Sequence, residues 1–153
     1  MPFRFRLKSL MRHREFKLRE AQAALGAAEA LRMRILSGID RLKEIALQES
    51  VQFEGEQKKG IGAARYLHFK AHLSYLEHEL LLLNKELEKA TAEAEARKRA
   101  MIECDRSVKA IESIETRDRE LYKSIQSHKQ QKQLDDVAVF NDYRNRSGGE
   151  GES

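Results

Sequence analysis

Residues 66–125 read YLHFKAHLSYLEHELLLLNKELEKATAEAEARKRAMIECDRSVKAIESIETRDRELYKSI. Alternating strides of three and four along this stretch pass through Tyr66, Phe69, Leu73, Leu76, Leu80, Leu83, Leu87, Ala90, Ala94, Arg97, Met101, Cys104, Val108, Ile111, Glu115, Asp118, Tyr122 and Ile125. All but Arg97, Glu115 and Asp118 are apolar or small, and charged residues fill the intervals. A repeat averaging 3.5 residues is the signature of a helix lying along a partner helix, and a seam held this long implies a left-handed supercoil.

A weaker stripe of the same period precedes it: Leu18, Ala21, Leu25, Ala28, Arg32, Ile35, Ile39, Leu42, Ala46 and Glu49. Gly55, Gly60 and Gly62 then punctuate GEQKKGIG, where glycine supplies the positive φ of a helix C-cap and turn. Pro2 is the only proline, so no helix interior is broken by one. The chain therefore reads as all-α: an elongated antiparallel two-helix coiled-coil hairpin with a longer C-terminal helix. Helix one is expected over about 3–54, the turn over about 55–62 and helix two over about 63–144. Together they make one hairpin spanning 1–146, and the polar, glycine-rich 147–153 is expected to be a disordered tail.

A turn centred near residue 58 makes opposed positions add to roughly 116–118, which sets Phe3 near residue 114. Glu115 and Asp118 are the first carboxylates on the second seam, so the seam changes character where helix one runs out. The stretch from Thr116 to Tyr143 should then extend as a single helix, ~40 Å long at 1.5 Å per residue. Yet it carries Leu121, Tyr122, Ile125, Leu134, Val137, Ala138, Val139, Phe140 and Tyr143 among Lys123, Lys129, Lys132 and Arg144. A lone helix cannot bury them, and apolar side chains clustered on an unpaired element indicate a partner.

Composition narrows the function. Of 153 residues, 35% are charged, and two packed helices bury a narrow stripe with no deep pocket for substrate. The net charge is +4, with much of the excess in the first twenty residues. Such a basic end suits acidic protein, nucleic acid or anionic lipid. Acidic residues interleaved along both helices weaken a continuous track for phosphates, so nucleic acid is not expected. Arginines alternating with Phe and Leu over Phe3–Lys17 keep a membrane-surface helix among the alternatives. Cys104, the only cysteine, sits on the seam and reads as a small core hydrophobe. His68 and His72 stand one turn apart with no third ligand near, and GIGAAR lacks the Lys-Ser/Thr of a phosphate loop. No nucleophile-base arrangement has support on two helices. The expectation is a protein without catalytic, cofactor or metal site. The opening MPFRFRLKSL lacks the apolar run of a signal peptide, and a cytoplasmic protein is expected.

Three segments, in order, resemble the FliJ family, the small coiled-coil component of bacterial flagellar type III export. They are FRFRLKSLMRHRE at the start, GIGAARYLHFKAHLSYLEHEL after the turn, and KQQKQLDDVAVFNDYRNR at the close. The family is similar in fold to the γ stalk of rotary ATPases. The resemblance implies that the paired chain ends sit in the pore of the hexameric export ATPase (FliI) and promote its assembly and activity. The residues concerned would be Phe3, Phe5, Leu7, Leu10, Leu121, Tyr122, Ile125, Lys129, Lys132, Leu134, Val137, Phe140, Tyr143 and Arg144, with Arg4 and Arg6 adding charge. It further implies contact with the export gate protein (FlhA), at positions matching Leu42, Ile45, His72 and Leu76, and handling of export chaperones. The protein would then be peripheral at the cytoplasmic face of the inner membrane, through the export complex. A stalk protein of a virulence-type secretion system is the nearest alternative. A generic coiled-coil scaffold is the alternative of a different class.

Overall fold

The computed structural model describes residues 2–149. They form two helices, α1 over Lys8–Lys59 and α2 over Ala63–Gly149. The described residues divide into two compact units, Phe16–Asp105 and the pair of segments that end at Glu15 and begin at Arg106.

In the unit Phe16–Asp105 the two helices run antiparallel along the stripes that the heptad pattern names. On α1 Ala28 and Ile39 are buried, and on α2 Phe69, Leu76, Ala90 and Ala94 are, while Leu73, Leu80, Leu83 and Leu87 are half-buried between them. Phe53 stands 5.4 Å from the ring of Phe69 and 5.6 Å from that of Tyr66, which fills the seam next to the turn. Arg97, a charged seam position, stays exposed and pairs with Glu93 one turn back on its own helix. Burying it would strip its hydration without a partner, so the side chain turns outward.

The turn is shorter than the glycine spacing suggests. Only residues 60–62 lie between the helices, and Gly55 is inside α1. Among the described residues Gly60 alone takes the left-handed conformation, at φ 88°, and its N–H donates to the Gln57 carbonyl at 3.2 Å. Gly62 accepts from the Tyr66 N–H at 3.0 Å and opens α2. One left-handed residue suffices to end α1. The register moves accordingly. Glu49 faces His72, Glu56 faces Arg65, and Gly38 lies against Leu83. Each pair adds to 121 instead of the expected 116–118, a shift of about one helical turn.

In the unit of both chain ends, Val108 and Ile111 are the buried seam residues, Ile111 at 1% exposure. Leu7, Met11 and Arg14 from the first segment are half-buried beside them. Here the chain departs from the expected helix start at Phe3: residues 2–7 are not helical. Burial alternates along them, Phe3, Phe5 and Leu7 half-buried and Arg4 and Arg6 exposed, and Arg6 and Leu7 form a turn closed by the Lys8 N–H, which donates to the Phe5 carbonyl at 3.3 Å. Phe3 reaches Arg119 and Tyr122, past the expected level near residue 114; most of the difference is the register, since Arg14 and Ser107 also add to 121 and that sum sets Phe3 near residue 118. At the other end α2 stays helical through Gly149, so Ser147–Gly149, assigned to a tail by composition, are helical; the remainder of that segment, 150–153, lies outside the described residues.

Candidate functional site

The chain ends form the first candidate surface. The strap of residues 2–7 is held on α2 by three contacts. The Phe3 ring lies 5.5 Å from that of Tyr122, and the Arg119 guanidinium stands 5.1 Å from the Phe3 centroid on its face. Arg6 Nε approaches Asp118 Oδ2 at 3.7 Å. Arg119 Nη2 also donates to Glu115 Oε1 at 3.0 Å, one turn back. Further in, Arg14 Nη1 donates to the Ser107 carbonyl at 3.1 Å. The carboxylates that interrupt the apolar seam thus have a physical reason: Glu115 and Asp118 each hold an arginine where the core gives way to solvent. Phe3, Arg4, Phe5, Lys8, Met11, Glu115 and Arg119 line an open groove of about 370 Å³. Its lining sets two aromatic rings and three cationic side chains beside the one carboxylate of Glu115, and no acidic residue occupies the first turn of α1 to offset that charge.

Beyond the strap, no other described residue packs on α2. Leu121 and Ile125 are 59% and 47% exposed, Tyr122 is half-buried, and every described residue from Ser127 to Gly149 is exposed. Among them Leu134, Val137, Val139, Phe140 and Tyr143 are each more than half exposed, between 57% and 71%. Lys129, Lys132 and Arg144 stand exposed on the same helix. Local pairs support it without any neighbour: Gln131 Nε2 donates to Asp135 Oδ1 at 3.2 Å, and Arg146 Nη2 lies 3.3 Å from Asp142 Oδ2.

At 100° per residue, Ile125, Lys129, Lys132, Asp136, Val139 and Tyr143 share one stripe within roughly 40° of a common line, the continuation of the seam. Leu134 falls on the opposite side, and Val137 roughly 120° away. The bare helix is therefore apolar on more than one face.

The positions Leu42, Ile45, His72 and Leu76 lie in the unit Phe16–Asp105, at different depths. Leu76 is 5% exposed and Leu42 half-buried, both in the seam. Ile45 and His72 reach the surface, and His72 Nε2 lies 3.7 Å from Glu49 Oε1, an ion pair only when the imidazole is protonated. An open groove of about 630 Å³ runs beside them, lined by Glu49, Gln52, Ala64, Arg65, His68, Phe69 and His72. His68 and His72 do share this groove, but no cluster of three or more metal-ligating side chains occurs among the described residues. Tyr75, one turn from His72 and 58% exposed, is a surface aromatic that heptad reading passed over. It lies off the seam, where the repeat says nothing.

The strap is the other feature missed. Its signal was present in FRFRL, whose alternation has period two within a stretch otherwise read at 3.5. No helix of the described residues is long and apolar enough to cross a membrane.

Compared with known proteins, residues 3–147 match the family model described as flagellar FliJ protein. No curated protein and no solved structure matches the chain.

Proposed function

The chain belongs to the flagellar FliJ family and so has a role associated with flagellar protein export; from that premise we propose that its two ends act together as the stalk of the export ATPase (FliI) ring. The observation that carries this reading is the stretch Ser127–Gly149, helical and exposed throughout, with large apolar side chains on more than one face. A helix docking into a single groove needs one apolar stripe, whereas a helix apolar on several sides suits an enclosure. A ring pore is such an enclosure. In this reading Leu121, Ile125, Leu134, Val137, Phe140 and Tyr143 pack against successive subunits. Lys129, Lys132, Arg144 and the outward Arg4 meet acidic pore residues, while Arg6 keeps its pair with Asp118. Phe3, Phe5 and Leu7 hold the strap on α2 and stiffen the base of the inserted helix, with Leu10 and Tyr122 beside them.

No step here requires the chain to catalyse anything; its contribution is a bias among ring subunits through differential contact. Contact with the export gate protein (FlhA) belongs to the unit Phe16–Asp105. There Ile45 and His72 present the surface and Leu42 and Leu76 support it from below. With export chaperones as further partners, the protein would work at the cytoplasmic face of the inner membrane.

The test is the turnover of the cognate ATPase with full-length chain and with a chain ending at Gln126. That end point keeps every residue that the strap touches, so the paired part stays intact. Stimulation by the full chain that disappears on truncation supports the stalk reading. Equal turnover with both chains overturns it and favours a plain coiled-coil scaffold.

A further inference from the structure

The stripe Ile125, Lys129, Lys132, Asp136, Val139, Tyr143 continues the seam past the point where α1 and the strap end, and its charges are ordered, two lysines first and an aspartate after. We infer that this stripe is self-complementary, and that in the absence of another partner two copies of the chain pair antiparallel through Ile125–Tyr143, with Lys132 of each copy against Asp136 of the other.

The register follows from the heptad. In an antiparallel pair of helices, first and fourth heptad positions oppose one another, which restricts the slide to whole heptads. With Lys132 opposite Asp136, the remaining layers are Ile125 against Tyr143 and Lys129 against Val139. Two-fold symmetry repeats each layer once. The lysine stem of the middle layer lies along the valine while its ammonium reaches water. Sliding one heptad in one direction sets Lys129 against Lys132, and sliding in the other sets Lys129 against Arg146. A parallel pair in register would stack each lysine on its own copy. Only one arrangement joins opposite charges and keeps Ile125 on Tyr143. Lys132 and Asp136 make no ion pair within their own chain among the described residues, so both are available.

Length agrees with this occupant. In that register Gly149 of the second copy falls opposite Arg119, the residue on the Phe3 face. The second copy's helix thus covers the line that α1 and the strap leave bare, and it arrives beside the strap with Ser147, Gly148 and Gly149, the smallest residues of α2's last turn. Leu134 and Val137 remain outside the pair. With charged residues in the central layers, association should be weak and dependent on salt. The paired stripe and any other partner of the same helix exclude each other, so the pair would be a resting form.

The experiment uses full-length chains in sedimentation equilibrium from micromolar to millimolar concentration. Wild type should pass from monomer to dimer. Lys132→Asp and Asp136→Lys should each raise the dimer Kd by roughly tenfold or more, because like charges then face each other. Mixed in equal amounts, the two variants should form a dimer again, since one then presents two aspartates and the other two lysines at the facing positions 132 and 136. Each variant keeps its own like-charge neighbours in the mixture, so recovery cannot come from repair of the helix itself. A wild type that stays monomeric, single variants that dimerise as wild type does, or a mixture that stays monomeric would each overturn the inference.

Discussion

Arg65 closes the turn on Glu56 with a two-pronged ion pair, Nε to Oε2 and Nη2 to Oε1, both at 2.7 Å. The planar guanidinium matches the carboxylate with two parallel bonds, which a lysine could not supply. The Arg65 hydrogen bonds favour the charged carboxylate, and they hold Glu56 below the usual glutamate range despite slight desolvation. A lowered folded value means that the contribution is present above the unfolded pKa and is lost as pH falls through the folded one. A carbon-detected NMR titration should show Glu56 protonating late on acidification, and Arg65→Gln should return its midpoint to the ordinary range. A midpoint unmoved by that substitution would refute the clip.

Gly26 and Gly60 should respond to alanine with opposite sign. Gly26 is inside α1 with nothing within 4 Å of where an alanine methyl would stand, so Gly26→Ala should stabilise by up to about 1 kcal/mol. Gly60 has equal room but a φ of 88°, so Gly60→Ala should cost about 1–2 kcal/mol from backbone strain alone. Urea midpoints of the two variants decide it.

Leu76 and Ile45 separate core from surface within one patch. Leu76→Ala removes a buried side chain at 5% exposure and should cost ~2–4 kcal/mol. Ile45, at 36% exposure, should cost under ~1 kcal/mol as alanine. If the patch meets the export gate protein, Ile45→Ala weakens that binding at unchanged stability. Unchanged affinity in Ile45→Ala would remove the patch from the interface.

Between the two apolar parts of the seam lies an alanine-rich section: Ala21, Leu25, Ala28 and Arg32 on α1, Ala90, Ala94 and Arg97 on α2. Alanines bury little area, so the helices are held less firmly there than around Ile39 and Phe69. Amides in 21–32 and 90–101 should exchange about tenfold faster than those in 35–53 and 69–87, by hydrogen-exchange mass spectrometry. Uniform protection along both helices would contradict this.

Phe3→Ala should free the strap. It removes the ring between Tyr122 and Arg119, at a cost of about 1–2 kcal/mol, and should expose residues 2–7 to limited proteolysis while leaving helix content within error. Wild-type protease resistance in the variant would mean that the Arg6–Asp118 pair suffices to hold the strap.

The seam from Phe69 to Ile111 was legible in the sequence because a 3.5-residue repeat leaves a helix only one stripe to bury, and charges on the remaining faces forbid any other. The unpaired helix was legible for a related reason: α2 outlasts α1 by count, whatever the register. The register itself was not legible. Three glycines offered three places to turn, and which one takes positive φ depends on how Phe53, Tyr66 and Phe69 pack beside it. Nor could heptads announce the strap, where FRFRL leaves the helix and Phe3 lies against Tyr122. Likewise the split of Leu42, Ile45, His72 and Leu76 between core and surface needed the opposing helix, since burial belongs to a pair of elements and a sequence periodicity describes only one.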